Sequence, residues 1–234
     1  MMIAIDAGNT RIKWGVHDGA DWIAQGALPT GDVTQLTDLA ASWPSKARVV
    51  ACNVAGDAVE KTISAALAPY WLRPSAEACG VRNRYEQPAR LGADRWAALI
   101  GARGQVSGAC LVVCAGTATT VDWLDAGGEF RGGLILPGVD LMRASLARNT
   151  AQLPLGAGNF SSEPRNTLDA IASGCLHAQL GAIERMFAQL ANEPDAVCLL
   201  TGGAAPCLTP YLNIPFKLMD NLILDGLVRF GASQ

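Results

Sequence analysis

The feature that most constrains this chain is an internal repeat with a period of about a hundred residues. Residues 3–10 align with residues 111–118, and in both copies an apolar run enters an Ala-Gly-polar turn and a β-rich stretch leaves it. A glycine turn and a third strand follow at matching distances. So long a period does not suit a solenoid and favours a duplicated domain over a chance similarity of eight positions. We therefore predict an α/β protein with two related domains, residues 1–106 and 107–234.

Hydrophobic periodicity predicts the elements around the repeat. The first half is expected to contain strands at 2–6, 11–16, 21–25 and 48–52, and helices at 33–42, 59–68 and 93–105. Asp21 suggests that the strand at 21–25 lies near a sheet edge. Prolines and glycines make residues 69–91 an expected irregular segment. The second half is expected to contain strands at 109–113, 117–124, 129–136 and 196–201, and helices at 137–147, 166–190, 206–212 and 221–230.

Composition and charge narrow the classes of function. Half of the 234 residues are hydrophobic and 17% are charged, which argues against disorder. The apolar runs are too short to span a membrane, and residues 1–6 lack the basic start of a signal peptide. A net charge of −3 without a run of Lys or Arg predicts no nucleic-acid or anionic membrane partner. We expect a cytoplasmic protein.

The cysteines and histidines give little sign of a metal or disulfide framework. Seven cysteines is an odd number, no CxxC occurs, and most lie in apolar stretches, so reduced and buried thiols are expected. His17 and His177 are far apart in the sequence and lack ligand-like neighbours, so a structural zinc site is not expected.

The turn at residues 6–10 carries the groups that a nucleotide phosphate needs. Gly8 allows a tight turn whose backbone amides can approach phosphate oxygens, and Asn9 and Thr10 add neutral donors. Lys13 supplies a nearby cation, and Asp6 at the end of a strand can hold Mg²⁺. Taken alone, this turn could equally be an ordinary β-hairpin.

Two further donor-rich turns favour the nucleotide interpretation. Residues 116–120 repeat the first turn, and residues 201–203 follow another buried strand. Three such turns predict an ATP-binding cleft between the two halves better than three unrelated hairpins do.

Six segments together resemble the type III pantothenate kinase family, within the superfamily of acetate and sugar kinases, heat-shock ATPases and actin. They span nearly the whole chain: Asp6-x-Gly8-Asn9-Thr10-x-x-Lys13, Tyr85-x-x-Pro88-x-x-Leu91-Gly92-x-Asp94-Arg95, Gly116-Thr117-Ala118-x-Thr120-x-Asp122, Gly132-Gly133-x-Ile135-x-Pro137-Gly138, Thr150-Ala151-x-Leu153-Pro154, and Asn166-Thr167 with Ser173-Gly174. The resemblance implies two duplicated RNase H-like domains in the actin-like ATPase fold, a homodimer, and ATP-dependent phosphorylation of pantothenate.

Asp94 is the candidate catalytic residue. A carboxylate beside a substrate hydroxyl can orient it and take its proton, while phosphoryl transfer itself needs mainly positioning and charge neutralisation. In the resembling family the Asp of Gly-x-Asp-Arg is the proposed base. The alternative is an acid that merely favours a first helical turn.

The resemblance also implies a set of ligand contacts. Pantothenate is expected at Tyr85, Gly92, Asp94 and Arg95, at Thr167 reached from the partner subunit, and less surely at Asn53. ATP is expected at Asp6, Gly8, Asn9, Thr10, Arg11, Lys13, Gly116, Thr117, Ala118 and Thr119.

Cys114 departs from the family pattern, which has an acid at this position. The family uses Mg²⁺ and a monovalent cation, K⁺ or NH₄⁺, and a thiol is a poor ligand for a hard cation. Asp6 is expected to hold Mg²⁺, and Asp122 or main-chain carbonyls could hold the monovalent ion. Two alternatives stay open: a weakly active or non-catalytic regulatory binding protein, and a kinase for another hydroxylated metabolite.

Overall fold

A computed structural model describes all 234 residues. Its strands are β1 Met2–Ala7, β2 Arg11–His17, β3 Trp22–Pro29, β4 Arg48–Asn53, β5 Tyr70–Trp71, β6 Glu77–Ala78, β7 Val81–Asn83, β8 Cys110–Ala115, β9 Ala118–Leu124, β10 Glu129–Pro137, β11 Val197–Thr201 and β12 Phe216–Leu218. Its helices are α1 Gln35–Ala40, α2 Asp57–Leu67, α3 Ala93–Gln105, α4 Val139–Asn149, α5 Thr167–Phe187, α6 Ala205–Leu208 and α7 Leu222–Ala232. None of the helices is both long enough and apolar enough to cross a membrane.

The chain forms two compact units that are not continuous in sequence. One contains Met1–Ser107, Leu124–Gly132 and Asn221–Gln234, and the other contains Gly108–Trp123 and Gly133–Asp220. We call them unit 1 and unit 2. The tip of the β9–β10 hairpin and the C-terminal helix thus pack with unit 1. The division into residues 1–106 and 107–234 stays a prediction about the duplicated halves.

The main sheets of the two units have the same topology. In unit 1 the strand order is β3-β2-β1-β4-β5, with β1 antiparallel to β2 and parallel to β4. In unit 2 the order is β10-β9-β8-β11-β12, with β8 parallel to β11 and β11 parallel to β12. Both sheets follow the order third, second, first, fourth, fifth strand. The predicted duplication is confirmed.

The repeated apolar positions build equivalent cores. In unit 1, Ile3, Ile5 and Ala7 share one face of β1 and pack in a cluster with residues of α1 and α2. In unit 2 the residues at the same repeat positions, Leu111, Val113 and Ala115, pack against α5. Asp6 alternates with these residues and therefore lies on the opposite face of β1, the face that α3 and α7 cover.

Several element predictions need correction. Residues 69–91 are not wholly irregular, because they contain the short strands β5, β6 and β7. The three residues of β12 were not predicted, since so short and exposed a strand has no readable periodicity. The helix expected at 206–212 is the short α6 followed by a 3-10 turn at Thr209–Tyr211. The predicted edge position of β3 is confirmed.

The cysteines are all free, but not all are buried. Cys52, Cys110, Cys175 and Cys198 are buried, whereas Cys79 and Cys114 are partly exposed and Cys207 is exposed. The expectation of reduced thiols agrees with the structure, and the expectation of burial is wrong for Cys207. It lies in the four-residue helix α6, which buries only Ala205 and Leu208.

Candidate active site

Asp6 is the penultimate residue of β1, the central strand of the unit 1 sheet. Strand register places it opposite Lys13 on β2 and Cys52 on β4. Its side chain is only 7% exposed, and its Oδ1 atom accepts a hydrogen bond from the Cys52 thiol at an S–O distance of 3.5 Å. Few polar partners therefore replace the water that this carboxylate loses on folding.

Asp94 occupies the first turn of α3. Gly92 is the residue that precedes this helix, and Asp94 Oδ1 accepts a hydrogen bond from the Arg95 backbone N–H at 2.8 Å. A Cβ atom on Gly92 would lie 2.6 Å from the same Oδ1. The missing side chain at Gly92 is what lets the carboxylate occupy this position.

Burial raises the pKa of both carboxyl groups. The pKa of Asp6 rises to about 6, chiefly because of desolvation and further because of the negative charge of Asp94, while Lys13 opposes the rise. Desolvation also raises the pKa of Asp94, against the hydrogen bond and charge of Arg95. Two desolvated carboxylates, one of which raises the pKa of the other, are typical of a functional site.

Arg95 connects Asp94 to an aromatic pair. The guanidinium is buried, with 4% of the residue exposed, and Nη1 donates to the Tyr85 hydroxyl at 2.8 Å. Its carbon Cζ lies 5.6 Å from the Tyr85 ring centre and 5.7 Å from the Phe130 ring centre. Tyr85 and Phe130 are themselves 5.4 Å apart. The structure thus brings together Tyr85, Arg95 and Asp94, three of the residues expected to contact pantothenate.

The turn between β1 and β2 presents several of the predicted phosphate-binding residues at the surface. Gly8 N–H donates to the Arg11 carbonyl at 3.1 Å, and the Thr30 hydroxyl donates to the Gly8 carbonyl at 2.7 Å. Asn9, Thr10 and Arg11 are exposed. The turn is therefore held by backbone contacts while its side chains reach solvent.

The corresponding turn of unit 2 is packed against two other glycine segments. Gly116 N–H donates to the Ala118 carbonyl at 3.0 Å, and a Cβ atom on Gly138 would lie 2.2 Å from the Gly116 carbonyl oxygen. Gly202, with φ +105°, leaves no room for a Cβ beside Ala115. Because β8 and β11 are parallel neighbours, the predicted turns at 116–118 and 201–203 lie at the same sheet edge.

Three of the residues predicted to bind ligands are buried or are hydrogen-bonded within the protein. Thr119 and Asp122 are buried in β9, with Asp122 fully so, while Gly116, Thr117 and Ala118 are exposed. Asn53 uses its amide nitrogen within unit 1, donating to the Gly56 carbonyl at 3.1 Å and to Glu60 at 3.2 Å.

Thr167 lies in unit 2, at the start of α5. It lines a groove of about 530 Å³ between α4 and α5 together with apolar residues such as Met142, Leu146 and Ile171. Tyr85, Gly92, Asp94 and Arg95, which the same prediction assigned to pantothenate, all lie in unit 1.

The residues at Asp6 fit a divalent cation bound mainly through water. No group of three or more His, Cys, Asp or Glu side chains converges in the chain. Mg²⁺, however, is commonly held by one or two carboxylates together with waters and substrate phosphates. A cation beside Asp6 would offset the desolvation that raises the pKa of this group.

Sequence reasoning missed Cys52 and Phe130. Cys52 stands directly before Asn53 at the end of β4, so a strand ending beside β1 was the available signal. Phe130 lies on β10 and pairs in register with Asn83 of β7, a strand that the sequence did not predict. No pattern in the sequence placed Phe130 beside Arg95.

Comparisons with known proteins show the family of this chain. Residues 2–189 match the family model described as type III pantothenate kinase. The type III pantothenate kinase of Aromatoleum aromaticum is 61% identical over 232 residues, which are 97% of this chain and 96% of the relative. That of Azoarcus sp. is 51% identical over 241 residues, covering 100% of this chain and 92% of the relative.

Solved structures with low sequence identity share the fold. A protein from Campylobacter jejuni described as a Baf family transcriptional activator has a TM-score of 0.67 at 18% identity, covering 99% of this chain and 98% of its own. A protein from Sinorhizobium meliloti described as a 2-dehydro-3-deoxygalactonokinase has a TM-score of 0.62 at 14% identity, covering 100% and 99%. The predicted fold, that of the sugar kinases and actin-like ATPases, is confirmed.

Proposed function

This chain belongs to the type III pantothenate kinase family, and we propose that it transfers the γ-phosphate of ATP to pantothenate, giving 4′-phosphopantothenate. The observation that carries the proposal is the pair of buried carboxylates, Asp6 on β1 and Asp94 on α3, each with a raised pKa. A carboxylate that holds a metal and one that accepts the proton of the substrate hydroxyl are recurring parts of kinase active sites.

Asp94 is proposed as the general base. Its carboxylate accepts the proton that the pantothenate hydroxyl loses as the oxygen bonds to phosphorus. Desolvation raises the pKa of Asp94, which makes its carboxylate a stronger proton acceptor than an exposed aspartate. The Arg95 N–H that donates to Oδ1 fixes the direction of the carboxylate.

Each unit has a glycine turn whose exposed groups are proposed as ATP-binding groups. In unit 1, the exposed Asn9, Thr10 and Arg11 and the half-buried Lys13 are the donors and cations offered to phosphate oxygens. In unit 2, the exposed Gly116, Thr117 and Ala118 form the equivalent turn. Asp6 would hold Mg²⁺, which would supply positive charge to neutralise the phosphate oxygens.

Pantothenate is proposed to contact Tyr85, Gly92 and Arg95. The Tyr85 hydroxyl and the Arg95 guanidinium already bond to each other, which orients both groups before substrate arrives. Thr167 is proposed to complete this site from the partner subunit of a homodimer. The apolar groove beside Thr167 is consistent with an interface between copies of the chain.

Cys114 bears most on where a monovalent cation would bind. Cys114 is the penultimate residue of β8, is partly exposed, and lies opposite Thr201 of β11. We propose that K⁺ or NH₄⁺, if used, is bound through Asp122 or main-chain carbonyls and not through this thiol.

A coupled assay of ADP release tests the proposal. Purified protein with ATP, Mg²⁺ and either K⁺ or NH₄⁺ should release ADP only when pantothenate is present. ADP release no faster than a blank would refute the kinase activity. Binding of ATP or pantothenate without turnover would instead favour a regulatory binding protein. Cys114 is the reason for this alternative, because a thiol stands there where the family has an acid. Turnover with another hydroxylated metabolite alone would identify a different acceptor.

A further inference from the structure

The thiol of Cys52 is buried directly beside the carboxylate of Asp6. The two residues are partners in the parallel pairing of β1 with β4, so their side chains emerge on the same face of the sheet. Cys52 is fully buried, and its Sγ lies 3.5 Å from Asp6 Oδ1. This distance and the register together make the thiol a side-chain donor to that oxygen.

The thiol is a neutral donor among the charged groups that face Asp6. An ordinary cysteine thiol carries its proton at neutral pH, so the S–H of Cys52 can be donated to Asp6 Oδ1. Lys13 faces Asp6 from β2, and Asp94 approaches from the first turn of α3. Cys52 is thus a neutral donor between two acids.

We propose that Cys52 is a positioning residue for Asp6, its S–H holding Oδ1 so that the carboxylate keeps the orientation in which it receives Mg²⁺. The inference rests on the proposed function, because it takes Asp6 as the metal ligand. Partners that orient a metal-binding carboxylate commonly change metal affinity by about 10–100-fold when they are removed. A thiol is a weak donor, so the lower end of that range is expected.

The test separates donation from packing with two substitutions. Cys52→Val removes the donor but keeps an apolar side chain of similar size that suits a buried strand. Cys52→Ser keeps a donor and loses volume. Cys198→Val is the matched control, because Cys198 is also a fully buried cysteine on a sheet strand, in unit 2. Asp6→Asn gives the reference for a lost metal ligand.

Two measurements are made on the full-length protein. The first is binding of Mn²⁺ as a spectroscopic substitute for Mg²⁺, by electron paramagnetic resonance with and without ATP. The second is the Mg²⁺ concentration that half-saturates pantothenate-dependent ADP release. Urea unfolding of each variant measures stability independently of both.

Cys52→Val should weaken Mn²⁺ binding and raise the half-saturating Mg²⁺ concentration by about tenfold. Cys52→Ser should restore most of the affinity even where it is less stable, and Cys198→Val should leave affinity unchanged. Wild-type Mn²⁺ affinity in Cys52→Val would overturn the proposal, as would a folded Cys52→Ser as impaired as the valine variant. If Cys52→Val does not fold, weakened Mn²⁺ binding by folded Cys52→Ala with recovery in Cys52→Ser supports the proposal, and equal affinities overturn it.

The outcomes also distinguish this inference from the proposed function. If Asp6→Asn weakens Mn²⁺ binding while Cys52→Val does not, only the role of Cys52 fails. If Asp6→Asn binds Mn²⁺ like the wild type, the assignment of Asp6 as metal ligand fails, and the positioning role fails with it. If the metal measurements follow expectation but no pantothenate-dependent turnover occurs, the kinase proposal fails and the positioning role stands.

Discussion

The Oδ1 atom of Asp94 lies 2.6 Å from the point where a Cβ atom on Gly92 would be. Gly92 has φ −58° and ψ 134°, a conformation that alanine adopts without strain. Gly92→Ala should therefore leave the backbone intact and push the Asp94 carboxylate aside. Because misplacement of a catalytic group by about 1 Å can cost about 100-fold in rate, we expect a loss of about 10–100-fold in kcat. An unchanged kcat, with stability confirmed by urea unfolding, would show that the position of Oδ1 does not matter.

Asp94→Asn tests the base itself. The amide keeps the shape of the side chain but cannot take a proton, so turnover should fall by at least about 100-fold. The variant should still fold, because the Arg95 N–H can donate to the amide oxygen as it does to the carboxylate. Steady-state ADP release and thermal unfolding are the two measurements. Activity equal to the wild type would remove Asp94 from the mechanism.

Tyr85→Phe removes the acceptor of the Arg95 Nη1 hydrogen bond while the ring remains against Phe130. Loss of a hydrogen bond to a charged group costs about 1.5–3 kcal/mol, and we expect the KM for pantothenate to rise by about tenfold or more. The KM for ATP should not change. Tyr70→Phe is the control, since Tyr70 is 56% exposed on β5 of the same unit. Equal changes in both KM values would contradict a specific role at the acceptor.

The raised pKa of Asp6 predicts a pH dependence of stability in metal-free protein. The folded state holds this proton with a pKa of about 6, against 3.8 for the ordinary group, so it binds the proton more tightly than the unfolded state does. The contribution of Asp6 is therefore most favourable below about pH 4 and is lost as pH rises towards about 6.

Comparing the wild type with Asp6→Asn isolates this effect. Between pH 4 and 7 in a chelator, the wild type should lose on the order of 1–3 kcal/mol of unfolding free energy relative to the variant. Added Mg²⁺ should reduce that loss at the higher pH. A difference between the two proteins that does not vary with pH would contradict the raised pKa.

Helices α3 and α7 approach closely at two glycines. A Cβ on Gly226 would lie 1.8 Å from the Ala97 carbonyl oxygen, and one on Gly101 would lie 2.2 Å from that of Leu222. Gly226→Ala should destabilise the protein by about 1–3 kcal/mol or more, because the backbone of α3 cannot yield. Gly181→Ala in α5 is the matched control, since no atom lies within 4 Å of its added Cβ. It should stabilise by about 0.5–1 kcal/mol. Urea unfolding measures both, and equal effects would contradict the packing argument.

Patterns within short segments of the sequence predicted most of the fold. The short apolar runs at residues 2–6 and 109–113 located the two central strands, because a strand that is buried on both faces is apolar along its length. The repeat predicted the duplication, and the shared strand order of the two sheets confirms it. The short strands β5, β6, β7 and β12 escaped prediction, since two or three residues carry no period. The pairing of β7 with β10 also joins segments that are far apart in the sequence.

The candidate site likewise contains some parts that local motifs predicted and others that only the tertiary structure shows. The turns at Gly8 and Gly116 and the Gly92 to Arg95 segment are local motifs, and the sequence alone located them. The contact between Cys52 and Asp6 joins residues 46 positions apart and depends on the parallel register of β1 with β4. The placement of Phe130 against Arg95 and the return of α7 to unit 1 likewise depend on long-range pairing and packing. Local periodicity shows which residues of one strand share a face. It does not show which residue of another strand lies opposite them, so only the tertiary structure decides such contacts.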